Sequence, residues 1–151
     1  MSKHSLAAVI TISDGVAAGE RDDGSGEALE TMLEGAGFEV SRDLVPDEAD
    51  RISAAILSAA AAHQLVVTTG GTGFGLRDVT PEATAAVLER TAPGLVQAMI
   101  ARGLEVTPMA ALTRGTAGTI GNALVVNLPG SPKGATENLA AILDLIPHIT
   151  Q

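Results

Sequence analysis

The sequence contains no cysteine, no tryptophan and no tyrosine, and phenylalanine occurs twice among its 151 residues. Because cysteine is absent, disulfide bonds, thiolate metal sites and cysteine nucleophiles are excluded. Because Phe38 and Phe74 are the two aromatic residues apart from histidine, stacking platforms for single-stranded nucleic acid are nearly absent. The hydrophobic core must therefore consist mainly of alanine, valine, leucine and isoleucine.

Basic residues are also scarce. Nine lysines and arginines against 18 aspartates and glutamates give a formal net charge of −9 at pH 7. Nucleic acids and anionic membrane surfaces bind clustered positive charge, so we expect neither as a partner. His4, His63 and His148 lie far apart and lack the spacing of zinc ligands, so we interpret them as structural or solvent-exposed residues.

Long hydrophobic runs are missing as well. The apolar run at residues 6–12 is too short for a signal peptide. The alanine-rich stretch at residues 52–67 is interrupted by serine, histidine and glutamine, so it does not predict a transmembrane helix. We therefore expect a cytoplasmic protein, and the length favours one domain over residues 1–151.

Short apolar runs predict strands at residues 6–12, 38–44, 65–69 and 123–128. Glycines 115, 118 and 121 punctuate a further segment that is expected to form a hairpin. Residues 13–26 are expected to form a Gly- and Asp-rich loop. Five helices are predicted. The first buries Leu29, Met32, Leu33 and Ala36 and stops at Gly37, and the second runs from Pro46-Asp47 to about His63. The third is capped at Thr80-Pro81, the fourth runs from Pro93-Gly94 to near Gly103, and the fifth buries Ala135, Leu139, Ile142, Leu143 and Ile146.

The alternation of these strands and helices indicates an α/β fold with three layers, a mostly parallel sheet and helices on both faces. In such sheets, ligands bind in the crevice beyond the carboxyl ends of the strands. Three polar, glycine-containing loops leave predicted strands at that edge, and they begin at Ser13, Thr69 and Pro129. These loops are the candidate binding elements.

The segment Thr68-Thr69-Gly70-Gly71-Thr72-Gly73 follows directly after a predicted strand. Glycines at this position allow close approach of the backbone to a ligand, and their N–H groups can bind an anion. The alternative is a plain tight turn. The segment matches neither a Walker A loop nor the dinucleotide motif G-x-G-x-x-G, which disfavours a nicotinamide or sugar-nucleotide enzyme.

Several carboxylates lie near the same edge of the predicted sheet. Asp47 and Asp78 are candidates to orient a hydrated Mg²⁺, which is typically held by one or two carboxylates plus substrate phosphates. Asp47 and Asp78, with Thr80, also stand where helix-capping residues are common, which is the alternative interpretation. Asp14 and the neighbouring pair Asp22-Asp23 are expected to be solvated.

Five segments occur in the order seen in the MogA/MoaB family, which includes the bacterial molybdopterin adenylyltransferases, and the chain resembles this family from about residue 6 to residue 148. The segments are Ile12-Ser13-Asp14, Val45-Pro46-Asp47-Glu48, Thr69-Gly70-Gly71-Thr72-Gly73, Arg77-Asp78-Val79-Thr80-Pro81-Glu82 and Leu128-Pro129-Gly130-Ser131-Pro132.

The resemblance implies a molybdopterin-binding fold that assembles as a homotrimer or as a hexamer of two trimers. It implies Mg-ATP-dependent adenylylation of molybdopterin with release of pyrophosphate. Asp47 and Asp78 match the family carboxylates implicated in catalysis, and we expect both to position Mg²⁺. The further candidate binding residues are Ser13, Asp14, Thr69, Gly70, Gly71, Thr72, Gly73, Arg77, Thr80, Gly130 and Ser131.

The nucleophile in this chemistry is a phosphate oxygen of molybdopterin, which is already ionised near neutral pH. No histidine or serine base is then required, and the protein must align two polyanions and neutralise their charge. The alternative function is that of a molybdopterin-binding, MoaB-type or scaffold protein without transferase activity. Retention of the Asp47 and Asp78 motifs favours the enzyme.

Overall fold

Six strands form one sheet in the computed structural model, which describes residues 5–150. They are β1 (Ser5–Ile12), β2 (Phe38–Val45), β3 (Leu65–Thr69), β4 (Arg90–Thr91), β5 (Ala117–Ile120) and β6 (Ala123–Leu128). The order across the sheet is β2-β1-β3-β6-β5-β4. The first four strands in this order are parallel, whereas β5 is antiparallel to β6 and β4 is antiparallel to β5. The predicted parallel core and terminal hairpin are confirmed.

Helices connect these strands. They are α1 (Asp14–Ala17), α2 (Gly24–Gly35), α3 (Ala49–Ala62), α4 (Thr80–Ala85), α5 (Pro93–Leu104) and α6 (Pro132–Ile142), with 3-10 helices at Pro108–Leu112 and Leu143–His148. Within the described residues, none of these helices has the length and apolarity needed to cross a bilayer.

The two faces of the sheet are covered by different helices, which confirms the predicted three layers. Alternate residues of a strand point to opposite faces, so Ala7 and Val9 of β1 pack with buried residues of α2, α5 and α6. Ile10 and Ile12 pack instead with Ile52 of α3 and other residues on that face. Because β1 is buried on both faces, it is a continuous apolar run.

Some predicted boundaries were wrong. The expected loop at residues 13–26 contains α1 and the first turn of α2. The helix expected from Pro46-Asp47 begins at Ala49. The last predicted helix ends at Ile142, and Ile146 belongs to the following 3-10 helix, although it is buried as expected.

One residue expected to lie on a buried helix face is exposed. Ala36 is the exposed C-cap of α2, beyond the last residue that packs on the sheet. The expected Thr80 cap was also wrong: Val79 is the N-cap of α4 without a side-chain bond, and Thr80 lies inside the helix.

The topology places a crevice between β1 and β3. From the end of β1, the chain passes through α2 to β2, which lies on one side of the β1–β3 pair. From the end of β3, the chain continues to β4, β5 and β6, which all lie on the other side. The connections therefore diverge at the carboxyl ends of these two adjacent strands. Such a reversal of strand order is where parallel α/β sheets bind ligands.

Candidate active site

A cavity of about 570 Å³ opens at this edge of the sheet. Loops after four parallel strands contribute to it: Ser13 after β1, Asp47 after β2, Gly70 after β3 and Ser131 after β6. The N-terminus of α2 closes another side. The complete lining comprises Thr11, Ile12, Ser13, Val16, Arg21, Asp22, Asp23, Gly24, Ser25, Asp47, Thr69, Gly70, Gly71, Asp78, Gly130, Ser131 and Pro132.

Two glycines after β3 adopt backbone angles that other residues avoid. Gly70 has φ +106° and Gly71 has φ +70°. A β-carbon on Gly70 would overlap the carbonyl oxygen of Ile12, and one on Gly71 would overlap Thr80 Oγ1 and lie 3.1 Å from Asp47 Oδ1. Glycine is therefore required both for the conformation and for the close approach of the neighbouring loops.

The loop after β3 offers free hydrogen-bond donors. In the described part of the chain, the backbone N–H groups of Gly71, Thr72 and Gly73 donate to no protein acceptor. Consecutive N–H groups of this kind are suited to binding an anion such as phosphate. The alternative interpretation as a plain tight turn does not explain why the same glycines line a cavity.

A buried polar network supports this loop from below. Thr80 Oγ1 donates to the carbonyl of Gly70 over 2.9 Å, and Thr84 Oγ1 donates to the carbonyl of Thr80 over 2.8 Å. The Asn127 amide donates to Thr68 Oγ1 and Thr84 Oγ1, each over 3.0 Å. Thr80 is fully buried, so the structure places it beneath the loop and not on the cavity wall.

Asp14 and Asp47 join the loops after β1 and β2. The backbone N–H of Asp14 donates to Asp47 Oδ2 over 2.9 Å, and the backbone N–H of Asp47 donates to Asp14 Oδ1 over 3.0 Å. Burial raises the pKa of Asp47, and the negative charges of Asp14 and Asp78 raise it further. The hydrogen bond from Asp14 N–H lowers this pKa, but the net shift is upward. Asp47 does not cap α3, because Glu48 is the N-cap.

Arg77 forms a two-point ion pair with Asp14 at the exposed rim. Arg77 Nε and Nη2 each lie 3.0 Å from an Asp14 carboxylate oxygen. The bond from Arg77, helped by the N–H of Asp47, lowers the pKa of Asp14. Arg77 is therefore engaged with a carboxylate and lines neither this cavity nor the smaller one described below.

Asp78 lies on the cavity wall with Asp47. Its Oδ2 accepts the backbone N–H of Gly75 over 2.9 Å, and it does not cap α4. Among residues 5–150, no three histidine, aspartate or glutamate side chains converge to hold a metal ion by themselves. Two carboxylates with room beside them match the way Mg²⁺ is held together with a substrate phosphate.

A second, smaller cavity of about 260 Å³ adjoins the first. Thr72 and Gly73 line it, whereas the preceding residues of the same loop line the larger cavity, and Ser131 borders both. The 3-10 helix Pro108–Leu112 supplies apolar wall residues, including Met109. One glycine-rich loop thus separates an acid-lined cavity from a more apolar cavity.

Comparison with known proteins assigns the family. The family model described as "Probable molybdopterin binding domain" matches residues 8–148. The chain belongs to this family. The match spans five strands, most of β1, and every loop that lines the two cavities.

Relatives of this molybdopterin-binding domain are similar over most of their length. A molybdopterin adenylyltransferase of Helicobacter pylori strain J99 is 39% identical over 145 residues, covering 93% of this chain and 82% of that protein. The Escherichia coli molybdopterin adenylyltransferase is 38% identical, covering 90% and 72%. The crystal structure of the molybdopterin biosynthesis enzyme MoaB from Thermus thermophilus superposes with TM-score 0.90 at 45% identity, covering 97% and 96%.

Most of the candidate residues meet in this molybdopterin-binding domain. Ten of them line one or both cavities: Ser13, Asp47, Thr69, Gly70, Gly71, Thr72, Gly73, Asp78, Gly130 and Ser131. At the rim, Asp14 bonds to Asp47 and Arg77 bonds to Asp14, and Thr80 supports the loop from below. Two histidines lie apart from the site: His63 bonds Ser41 and the carbonyl of Ala59, and His148 is exposed. His4, which was expected to be structural or solvent-exposed, lies outside the described residues.

Several residues of the site were not predicted, among them Asp23, Ser25 and Arg114. Asp23 was expected to be solvated, but it caps α2 through Gly26 N–H, accepts a bond from Thr11 Oγ1 and pairs with Arg42. Ser25 lines the cavity in the first turn of α2. Arg114 binds the loop that carries Asp78. A capping signal at Asp23 was available in the sequence, whereas Arg114 has no local signal.

Proposed function

We propose that the chain catalyses adenylylation of molybdopterin by ATP, with release of pyrophosphate, in molybdenum cofactor biosynthesis. The observation that carries this proposal is the pair of adjoining cavities on one glycine-rich loop, with Asp47 and Asp78 on the wall of the larger cavity. A reaction between two phosphate-bearing substrates needs two neighbouring sites and a means of offsetting negative charge where they meet.

The character of each cavity suggests which substrate it takes. We assign the triphosphate of ATP to the larger cavity, because carboxylates that hold a divalent cation lie there with the N-terminus of α2. We assign molybdopterin to the smaller cavity, whose wall includes Met109, Leu112, Thr72 and Gly73. Ser131 borders both cavities and marks the junction where the reacting phosphates meet.

In the proposed step, a phosphate oxygen of molybdopterin forms a bond to the α-phosphorus of ATP. The bond from that phosphorus to the bridging oxygen breaks, and pyrophosphate leaves. The attacking oxygen is already ionised, so no side chain needs to accept a proton. The contribution of the chain is to align the two reactants. Such alignment can lower the activation barrier by about 7–11 kcal/mol.

Asp47 and Asp78 are the residues that would hold Mg²⁺ with the ATP phosphates. Both line the larger cavity, where burial, together with the charges of Asp14 and Asp78, raises the pKa of Asp47. A divalent cation beside the two carboxylates would offset their negative charge, so the donor set fits the ion. When bound, Mg²⁺ supplies charge neutralisation for the phosphates and the departing pyrophosphate.

We also propose that the chain works in the cytoplasm, where ATP is available, and assembles as a homotrimer or hexamer. Large apolar side chains are exposed at the end of α5 and in the segment that follows it, namely Leu104, Val106, Met109 and Leu112, of which Met109 and Leu112 also line the smaller cavity. An exposed apolar cluster of this kind favours contact with another chain.

The direct test is incubation of the protein with molybdopterin and Mg-ATP. We expect adenylylated molybdopterin and pyrophosphate to appear in equal amounts, as measured by mass spectrometry and a coupled phosphate assay. The α,β-methylene analogue of ATP serves as the control, because its P–C–P bridge cannot release pyrophosphate. A scaffold protein would bind molybdopterin with no product, and that result would exclude the enzyme.

A further inference from the structure

Arg114 makes a set of contacts that no other basic residue in residues 5–150 makes with the site. It lies after the 3-10 helix Pro108–Leu112, on the segment that precedes β5. Its Nε donates to the carbonyl of Gly73 over 2.7 Å, and its Nη2 donates to the carbonyl of Asp78 over 2.7 Å. One guanidinium therefore binds both ends of the loop from Gly73 to Asp78.

Two further contacts hold the guanidinium, and a third holds the Arg114 backbone. Arg114 Nη1 lies 2.7 Å from a carboxylate oxygen of Glu82, in the first turn of α4. The guanidinium carbon lies 5.7 Å from the centre of the Phe74 ring, within range of a cation–π contact. The backbone N–H of Arg114 donates to the carbonyl of Thr72 over 2.9 Å. The planar group is thus held from several sides.

The position of Arg114 connects the two cavities. Its neighbour Thr113 lines the smaller cavity, and Asp78, whose carbonyl Arg114 binds, lines the larger cavity. Asp78 has limited support of its own, because its carboxylate accepts one local bond from Gly75 N–H within the same exposed loop. Arg114 is consequently the long-range support for the backbone of Asp78.

We propose that Arg114 is a positioning residue for adenylyl transfer, which fixes the Asp78 carboxylate relative to the smaller cavity by binding the carbonyls of Gly73 and Asp78. This role rests on the proposed function. Arg114 lines neither cavity, so its effect on the reaction would pass through Asp78. The rigid fork of an arginine can bind several acceptors at fixed angles, whereas a lysine offers one compact charge on a flexible stem.

The test compares Arg114→Lys, Glu82→Gln and Arg102→Lys in the full chain. A misplacement of about 1 Å can reduce turnover about 100-fold. We therefore expect Arg114→Lys to lower kcat about 10- to 100-fold while changing the KM for molybdopterin by less than about threefold. The concentration of Mg²⁺ that gives half-maximal activity should rise, because Asp78 is displaced.

Glu82→Gln keeps both carbonyl contacts of Arg114, so we expect a much smaller loss of kcat. Arg102→Lys is the matched control on the surface, because Arg102 of α5 pairs with the exposed Glu105 and its side chain lines neither cavity. It should behave like the wild type. Circular dichroism and thermal unfolding of each variant separate misfolding from a displaced carboxylate.

A double-mutant cycle with Asp78→Asn decides whether Arg114 acts through Asp78. Under single-turnover conditions, Arg114→Lys should lower the rate of adenylyl transfer by a much smaller factor in the Asp78→Asn background than in the wild type. Full additivity, or an unchanged kcat in a folded Arg114→Lys variant, would overturn the positioning role while leaving adenylyl transfer intact. If Arg114→Lys does not fold, the cycle is repeated with Phe74→Leu, which removes the ring beneath the guanidinium; additivity there overturns the role equally. An inactive wild type overturns both proposals.

Discussion

Replacing Gly70 with alanine tests the claim that close packing of backbones builds the floor of the site. Gly70 has φ +106°, and a β-carbon there would overlap the carbonyl oxygen of Ile12 at the end of β1. That oxygen belongs to the backbone of a strand paired on both sides, so it cannot rotate away as a side chain would. The clash must be relieved by moving one of the two loops.

The expected loss of stability has two parts. A non-glycine residue in a left-handed backbone conformation costs about 1–2 kcal/mol, and forcing an extra carbon into a packed region costs about 1–3 kcal/mol. The free energy of unfolding of Gly70→Ala should therefore fall by about 2–5 kcal/mol, against a typical total of about 5–15 kcal/mol. Urea denaturation followed by circular dichroism measures this difference at constant m-value.

Gly35→Ala is the matched control. Gly35 is the last residue of α2, and a β-carbon there meets no heavy atom within 4 Å. Because alanine favours helices over glycine by up to about 1 kcal/mol, this variant should be as stable as the wild type or slightly more stable. Equal stability of Gly70→Ala and the wild type would refute the packing argument.

Two other predictions concern the charges. Arg77→Gln removes the main cause of the lowered pKa of Asp14, so the Asp14 pKa should rise toward its ordinary value in an NMR titration; an unmoved pKa would contradict the ion pair. Asp47→Asn should not lower the free energy of unfolding at pH 7, because burial raises the pKa of Asp47 and its ionised form is unfavourable in the folded state. The difference in free energy of unfolding between Asp47→Asn and the wild type should shrink as the pH falls and Asp47 is protonated. A variant less stable than the wild type at pH 7 would contradict the predicted direction.

Much of the fold was predictable from local patterns. Strands β1, β3 and β6 are continuous apolar runs because both of their faces are covered, and a glycine or proline follows closely after each. Parallel strands place their carboxyl ends at one edge, so the loops after Ile12, Thr69 and Leu128 were expected to meet. The structure brings them together around one cavity.

Helix ends were harder to predict, because a polar residue near a helix start has more than one possible partner. Asp47 and Thr80 both stand close to helix starts, yet their side chains bind residues of distant loops, Asp14 N–H and the Gly70 carbonyl. These tertiary partners compete with local capping bonds. A local sequence pattern indicates that a capping bond is possible, but it does not indicate which distant residue will bind the side chain instead.

Arg114 could not be found from the sequence for a related reason. Its acceptors are backbone carbonyls of Gly73 and Asp78, 41 and 36 residues away. Every residue has a backbone carbonyl, so the acceptor leaves no signature in the sequence. A lone arginine before a glycine is indistinguishable from a solvated surface residue until the chain is folded.

The measurement that tests the account most directly is adenylyl transfer by Asp47→Asn and Asp78→Asn, compared with molybdopterin binding by the same variants. Both carboxylates line the larger cavity, and the smaller cavity is lined by neither. We therefore predict that each variant loses most of its turnover at saturating substrate while its Kd for molybdopterin stays within about threefold of the wild type. Wild-type turnover in both variants would contradict the proposed role of the two carboxylates.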